Sequence, residues 1–150
     1  MRPVLSTLAR LVLAAVFLVA GALKVADPQN AVQAVRAYEL LPVGLTTVVG
    51  WGLPFLEIAF GLLLVAGLCT RIAAGGAALL LVVFIAAVAS AATRGLSIDC
   101  GCFGGGGTVA PGQTRYLSEI LRDAALLVLA GWLIRHPMSL LSLDRDLEDR

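Results

Sequence analysis

Four apolar segments, at about residues 4–25, 43–67, 72–93 and 117–134, decide what this chain can fold into. Each is close to the roughly 20 residues a helix needs to cross the hydrocarbon core of a bilayer. Lipid offers no hydrogen-bond partner to a bare N–H or C=O, so segments that span it are helical. Composition agrees: 59% of the 150 residues are hydrophobic and 14% are charged, against about 25% charged in a soluble domain. We expect an all-α integral membrane protein in the lipid bilayer. It forms a single membrane domain over residues 1–150, an antiparallel four-helix bundle with both termini on one side. A net charge of +1, without a basic patch carrying interleaved aromatics, speaks against nucleic-acid binding.

The first segment also has marks of a secretory leader, with Arg2, an apolar stretch and small residues at Ala20-Gly21-Ala22. Its apolar run exceeds a typical leader core, and we take it as a span. With the termini inside, the cytoplasmic side collects Arg2, Arg10, Arg71, Arg135, Arg145 and Arg150. The outer side collects Lys24, Arg36, Arg94, Arg115 and Arg122. This slight positive-inside bias favours a multi-pass cell-membrane protein with cytoplasmic termini. The loop at 94–118 is then outside, where disulfides persist.

Between the first two spans, Asp27 can cap a helix that begins at Pro28, a residue favoured there because its missing N–H costs nothing. Ala31, Val35 and Tyr38 share one face of it, Gln29, Gln33 and Arg36 another, and Pro42 ends the segment. This predicts a short amphipathic helix in the outer interface, either a plain surface helix or one that helps to bind a substrate. In the second span Pro54 precedes Glu57 by three residues, which suggests a kink opening space at the carboxylate. Ala73, Ala74, Gly75, Gly76, Ala77 and Ala78 let neighbours approach the third span closely, and would permit a homo-oligomer. After Pro137, residues 139–150 read as a short amphipathic tail with Leu140, Leu143 and Leu147 on one side.

Cys100-Gly101-Cys102 lies in the one long polar loop, followed by Gly104-Gly105-Gly106-Gly107, a run that favours a mobile backbone. Two thiols at this spacing can close into a disulfide, bind a soft metal or pass electrons. A disulfide needs Cα atoms about 4.4–6.8 Å apart, so closure requires a bend, which Gly101 permits. The resulting small ring is strained, and strained exposed disulfides are the oxidising, labile ones. Its value as a staple is small for so short a loop. Metal binding lacks further ligands, since the one histidine, His136, falls at the opposite side; we expect no metal site. Redox activity fits best, with the other two uses still open.

Other polar residues carry paired readings. Glu57 within a span costs at least about 2.5 kcal/mol if charged and unpaired. It serves either as a proton relay or quinone contact, or as half of a structural ion pair, for which Arg10 is a candidate. Lys24 either snorkels to the interface or supplies a cation that lowers a thiol pKa. Cys69 reads as an inert buried thiol, and Trp51 and Trp132 as interfacial anchors.

Gly21-Ala22-Leu23-Lys24, Asp27-Pro28, Tyr38-Glu39-Leu40-Leu41-Pro42, Glu57 with Gly61, and Cys100-Gly101-Cys102-Phe103-Gly104 together resemble the MauE branch of the DoxX-like membrane proteins. The resemblance covers nearly the whole chain. It implies a four-helix membrane bundle tied to methylamine utilisation, where MauE is implicated in forming or maturing the disulfides of a periplasmic dehydrogenase subunit; DoxX relatives are associated with thiosulfate:quinone oxidoreduction. It implies Cys100 and Cys102 as the redox pair and Glu57 and Lys24 as supporting polar groups, and we expect Glu57, Lys24 and Tyr38 to bind the cofactor, a quinone. The chain carries no Cys-x-x-Cys, so an extracytoplasmic thioredoxin-like or disulfide-containing protein is the expected partner. The expected function is thiol–disulfide exchange between that partner and a membrane quinone, with Lys24 or Arg94 stabilising the leaving thiolate. The rival readings are a non-catalytic assembly subunit and a small metal or solute carrier.

Overall fold

A computed structural model describes residues 2–140, 142 and 143, and these are mostly helical. The helices are α1 (Arg2–Ala26), α2 (Pro28–Ala37), α3 (Val43–Ala66), α4 (Thr70–Thr93) and α5 (Tyr116–Arg135). Between α4 and α5, β1 (Ile98–Asp99) and β2 (Gly107–Thr108) pair antiparallel, with Ile98 opposite Thr108. Leu147 and most of the amphipathic tail read from sequence lie outside the described residues.

Local chemistry sets the breaks between helices. The residue before a proline is driven out of the α region, and α1 stops just ahead of Asp27-Pro28. Asp27 Oδ1 then accepts the Asn30 N–H at 3.1 Å and caps α2, with Pro28 at its first position. Gly67 adopts φ +63 and returns its N–H to the Leu63 and Leu64 carbonyls, closing α3 in a left-handed cap. Two more residues suffice to reverse the chain into α4.

The long helices pack α1 on α3, α4 on α5 and α1 on α5, while α3 and α4 touch more sparingly. Gly21 allows a close approach of α1 to α3: a Cβ there would lie 2.7 Å from Ile58 Cγ1 and 2.9 Å from the Pro54 carbonyl. The core runs through Leu13, Ala14, Phe17, Leu64, Ala73, Ala77, Leu81, Ala130 and Leu133. Outward, Leu8, Val48, Leu62, Ile72, Leu79 and Val128 stand more than half exposed, an apolar surface far beyond what water tolerates. Three helices, α1, α3 and α4, are long and apolar enough to cross a membrane. Helix α5 carries Glu119, Arg122 and Asp123 in its first half, yet turns Leu117, Leu121 and Val128 outward.

Two polar clusters mark the two ends. At one end Arg10, 2% exposed, donates from Nη1 to the Leu64 and Val65 carbonyls and from Nη2 to the Leu140 carbonyl. The Leu64 and Val65 carbonyls lie at the C-terminus of α3, where a cation is favoured. Arg10 is therefore not the partner of Glu57, which lies about two turns earlier on α3. Trp132 Nε1 donates to Ser6 Oγ, and Ser6 Oγ donates to the His136 carbonyl, tying α5 to α1. Trp132 is thus an internal tie rather than a membrane anchor, whereas Trp51 is 52% exposed on α3. Cys69, in the α3–α4 turn at φ +48, is exposed rather than buried. The other end holds α2, the β hairpin and the two remaining cysteines.

Candidate functional site

Helix α2 forms the seat of the cysteine loop. Its apolar side buries Ala31, Val32 and Ala34, and Ala34 meets the loop directly. A Cβ on Gly101 (φ +70) would lie 2.5 Å from Ala34 Cβ, and one on Gly106 (φ +151) would lie 2.6 Å from it. Both glycines therefore serve close approach and left-handed backbone at once. The glycine run is not the mobile stretch its composition suggests but the docked arm of a hairpin. Asn30 Nδ2 adds a bond to the Gly104 carbonyl at 3.4 Å.

Cys100 and Cys102 face each other across the bend at Gly101, and both are thiols. The Cys102 N–H donates to Cys100 Sγ at 3.4 Å, and Cys100 Sγ donates to Glu119 Oε2 at 3.1 Å. Arg122 binds Glu119 at 2.5 Å and Asp123 at 2.9 Å, and its guanidinium stacks 4.9 Å from the Phe103 ring centre. Glu119, Arg122 and Asp123 were not picked out from sequence as site residues. Their spacing of three and four positions, inside an otherwise apolar segment, is the signal that puts them on one inward face.

The two thiols ionise unequally. The hydrogen bond from Cys100 lowers the pKa of Cys102, and the charges of Arg122 and Lys24 add to this against burial and Asp123. Cys100 is pushed up, first by its bond to Cys102 and then by burial. Tyr38 is pushed up by burial and by the neighbouring thiols and carboxylates, so its phenol keeps its proton. That phenol donates to the Cys100 carbonyl at 3.3 Å.

Lys24 is buried rather than snorkelling, and its Nζ lies 2.6 and 2.9 Å from the two carboxylate oxygens of Glu57. Glu57 is thus paired across α1 and α3, by Lys24. Arg94, expected near the thiols, instead donates to the Tyr38 and Ser90 carbonyls; Arg122 is the arginine beside Cys102.

Two cavities meet at the dithiol, and their walls share Tyr38 and Cys100. One, of about 240 Å³, is almost wholly apolar, between α2, Val49 to Leu53 of α3 and Val83 to Ala87 of α4, and reaches both Lys24 and Cys102. The other, of about 280 Å³, is more polar and lies between the hairpin and the start of α5. Lys24, Tyr38, Cys100 and Cys102 therefore border one space, while Glu57 sits behind Lys24. A void of about 20 Å³ links Glu57 to Cys102, Arg122 and Asp123.

Cys100, Cys102 and Glu119 also bring three possible metal-ligand atoms within 4.8 Å of one another, a third ligand that sequence did not supply. Arg122 already binds the Glu119 oxygen that faces Cys100, and its charge repels a cation at that distance. The carboxylate is thereby committed to the arginine and the thiol. No curated protein and no solved structure gives a significant match to this chain. The family model described as methylamine utilisation protein MauE matches residues 2–136, so this is a membrane protein that belongs to the MauE family.

Proposed function

We propose that the Cys100–Cys102 couple carries out thiol–disulfide exchange, oxidising an extracytoplasmic protein in the service of methylamine utilisation and handing the electrons to a membrane quinone. The observation that carries this reading is the dithiol itself, bent at Gly101 and set where a polar and an apolar cavity meet. In the exchange, a partner thiolate attacks Cys100 Sγ of the disulfide. The Cys100–Cys102 bond breaks, and its electron pair leaves on Cys102, the sulfur whose negative charge Arg122 and Lys24 favour. A second partner thiolate then attacks the partner's own sulfur and releases Cys100, so that the partner gains a disulfide and this chain a dithiol.

The apolar cavity fits a quinone ring: its wall is hydrocarbon, Lys24 offers a cation at its inner end, and Cys102 lies on its rim. A quinone bound there would accept the two electrons and two protons released as the dithiol closes again. Glu57 holds the Lys24 ammonium in place, and Cys102 borders the cavity. All four long helices cross the membrane in this reading, with the described chain ends cytoplasmic and the cysteine loop outside. The outward Leu117, Leu121 and Val128 of α5 support the fourth crossing.

The test is the midpoint potential of the Cys100–Cys102 couple in detergent-solubilised protein, by alkylation across a series of redox buffers. A reversible couple near or above about −200 mV, the range of oxidising exchange proteins, is the expected result. A pair that stays reduced throughout, or a disulfide that resists reduction below about −300 mV, sinks the exchange mechanism.

A further inference from the structure

Thiol–disulfide exchange moves protons as well as electrons, and the groups named so far leave one proton without a carrier. Cys102 departs as a thiolate, a charge that Arg122 and Lys24 favour. Cys100 departs in the second step, from the partner's sulfur, and its thiolate is disfavoured by the bond to Cys102 and by burial. A thiol that holds its proton tightly is a slow leaving group. A proton must therefore reach Cys100 Sγ as its bond to the partner breaks.

Glu119 stands where that proton is needed. Its Oε2 accepts from Cys100 Sγ at 3.1 Å, within the roughly 2.6–3.2 Å over which a general acid or base works. Arg122 Nη1 grips the same oxygen at 2.5 Å and fixes the carboxylate in the first turn of α5. The side chain is nonetheless 23% exposed, and with Cys100 it lines the cavity of about 280 Å³ between the hairpin and α5. A thiol arriving at Cys100 through that space therefore meets the carboxylate as well as the sulfur. The groups whose charges act here are Arg122 and Asp123 on α5, the two thiols, and Tyr38 on α2. Asp99 and Arg115 stand along the cavity wall, α4 adds the uncharged Val88, and Lys24 of α1 acts on Cys102. Among the described residues, Glu119 is the carboxylate that hydrogen-bonds Cys100 Sγ.

We propose that Glu119 is a catalytic residue of the exchange, taking the proton of the incoming thiol and passing it to Cys100 Sγ as that sulfur departs. This rests on the exchange reading above and adds what it lacked, the acid–base group that works on Cys100. In the first step the partner's S–H bond breaks and its proton goes to Glu119. The partner's sulfur joins Cys100 Sγ, and the Cys100–Cys102 bond breaks with its electron pair on Cys102. In the second step the partner's other sulfur, whose proton goes to the medium, joins the first. The bond to Cys100 breaks with its electron pair on Sγ, and Glu119 delivers its proton there. The partner is oxidised by two electrons, and the disulfide becomes the Cys100 thiol and the Cys102 thiolate.

The experiment uses the full chain in detergent micelles, with its disulfide formed and dithiothreitol as the reductant. The second-order rate of disulfide reduction is followed against pH for the native protein and for Glu119→Gln. With a carboxylate to take the proton, the native rate is expected to stay nearly level as the pH falls below the reductant's own pKa. In Glu119→Gln only the reductant's thiolate reacts, so the rate should drop about tenfold per pH unit in that range. Two units below, the variant is then about a hundredfold slower than the native protein, a loss in the range of general acid–base catalysis. Above the reductant's pKa the two rates should converge. A carboxylate that only anchors Arg122 predicts instead the same loss at every pH, and that result overturns the proposal while leaving the exchange reading standing. A native rate that itself tracks the thiolate fraction overturns it too. The native profile needs no variant, so it decides the matter even if Glu119→Gln does not fold. A native disulfide that dithiothreitol fails to reduce at any pH removes the exchange reading, and the role of Glu119 with it.

Discussion

Cys102 gives up its proton more readily than an ordinary thiol and Cys100 less readily, and that inequality sets the chemistry at the residue scale. Because the folded-state pKa of Cys102 is lowered, its thiolate is present at a pH where an unperturbed thiol is still protonated. In the reduced protein, iodoacetamide followed by peptide mass spectrometry is therefore expected to modify Cys102 first, in a profile centred below the usual thiol range. Cys100 should follow only at more alkaline pH; the opposite order would sink the assignment of Cys102 as leaving group. Arg122→Gln removes one of the charges behind the shift and is expected to move the Cys102 profile upward. The buried Lys24–Glu57 pair makes a second prediction. Glu57→Gln strands the Lys24 ammonium and should cost about 3–5 kcal/mol, whereas replacing both residues by methionine should cost much less. Thermal unfolding in micelles, with the two variants side by side, measures the difference. The need for a partner to Glu57 was legible from the cost of a charge in lipid, but the partner itself was not. Lys24 and Arg10 both sit on α1, fourteen positions apart, and only the pairing of α1 with α3 decides which of them reaches the carboxylate.

The element that most changes its meaning between sequence and structure is the cysteine loop. Its glycine run reads as slack when composition alone is considered, because glycine's freedom is a property of the residue. Contact with Ala34 of α2 is a long-range fact, and it turns the same glycines into fitted parts of a docked hairpin. The cap at Asp27-Pro28, by contrast, was legible because capping is decided within four residues. Gly106→Ala tests the docking. Overpacking against Ala34 should cost about 1–3 kcal/mol, with a further penalty for a side chain at that φ, and should loosen the grip on both cysteines. Alkylation of Cys100, slow in the native protein, is expected to quicken. Adding Ala34→Gly to this variant removes the collision and leaves the backbone strain, so protection should return in part. Full protection of Cys100 in Gly106→Ala alone would mean that α2 does not seat the loop. The charged face of α5 follows the same pattern as Glu57: the residues are visible in sequence, and the space they face is not.

At the scale of the whole molecule, the meeting of the two chain ends bears on how often the chain crosses the membrane. The Leu140 N–H donates to Thr7 Oγ1 at 2.9 Å, and Ser6 Oγ bonds the His136 carbonyl at 3.0 Å. Three crossings would hold these residues on opposite sides of a hydrocarbon layer about 30 Å thick, where no such bonds could form. The proposed four crossings would bring them together, and the cost of Glu119, Arg122 and Asp123 within the fourth would be reduced because Arg122 pairs with both carboxylates. Hydropathy alone counts those charges against α5, which is why three helices and not four pass on composition. Membrane-impermeant maleimide on intact cells, applied to variants carrying one cysteine each, separates the two topologies. With the loop outside, a chain keeping only Cys102 is expected to label from the medium, and one keeping only Cys69 should label after permeabilisation alone. A cysteine introduced by Met138→Cys, at a position 65% exposed, should behave as Cys69 does if α5 crosses. Labelling of that position from the medium together with Cys102 would leave α5 on the outer surface.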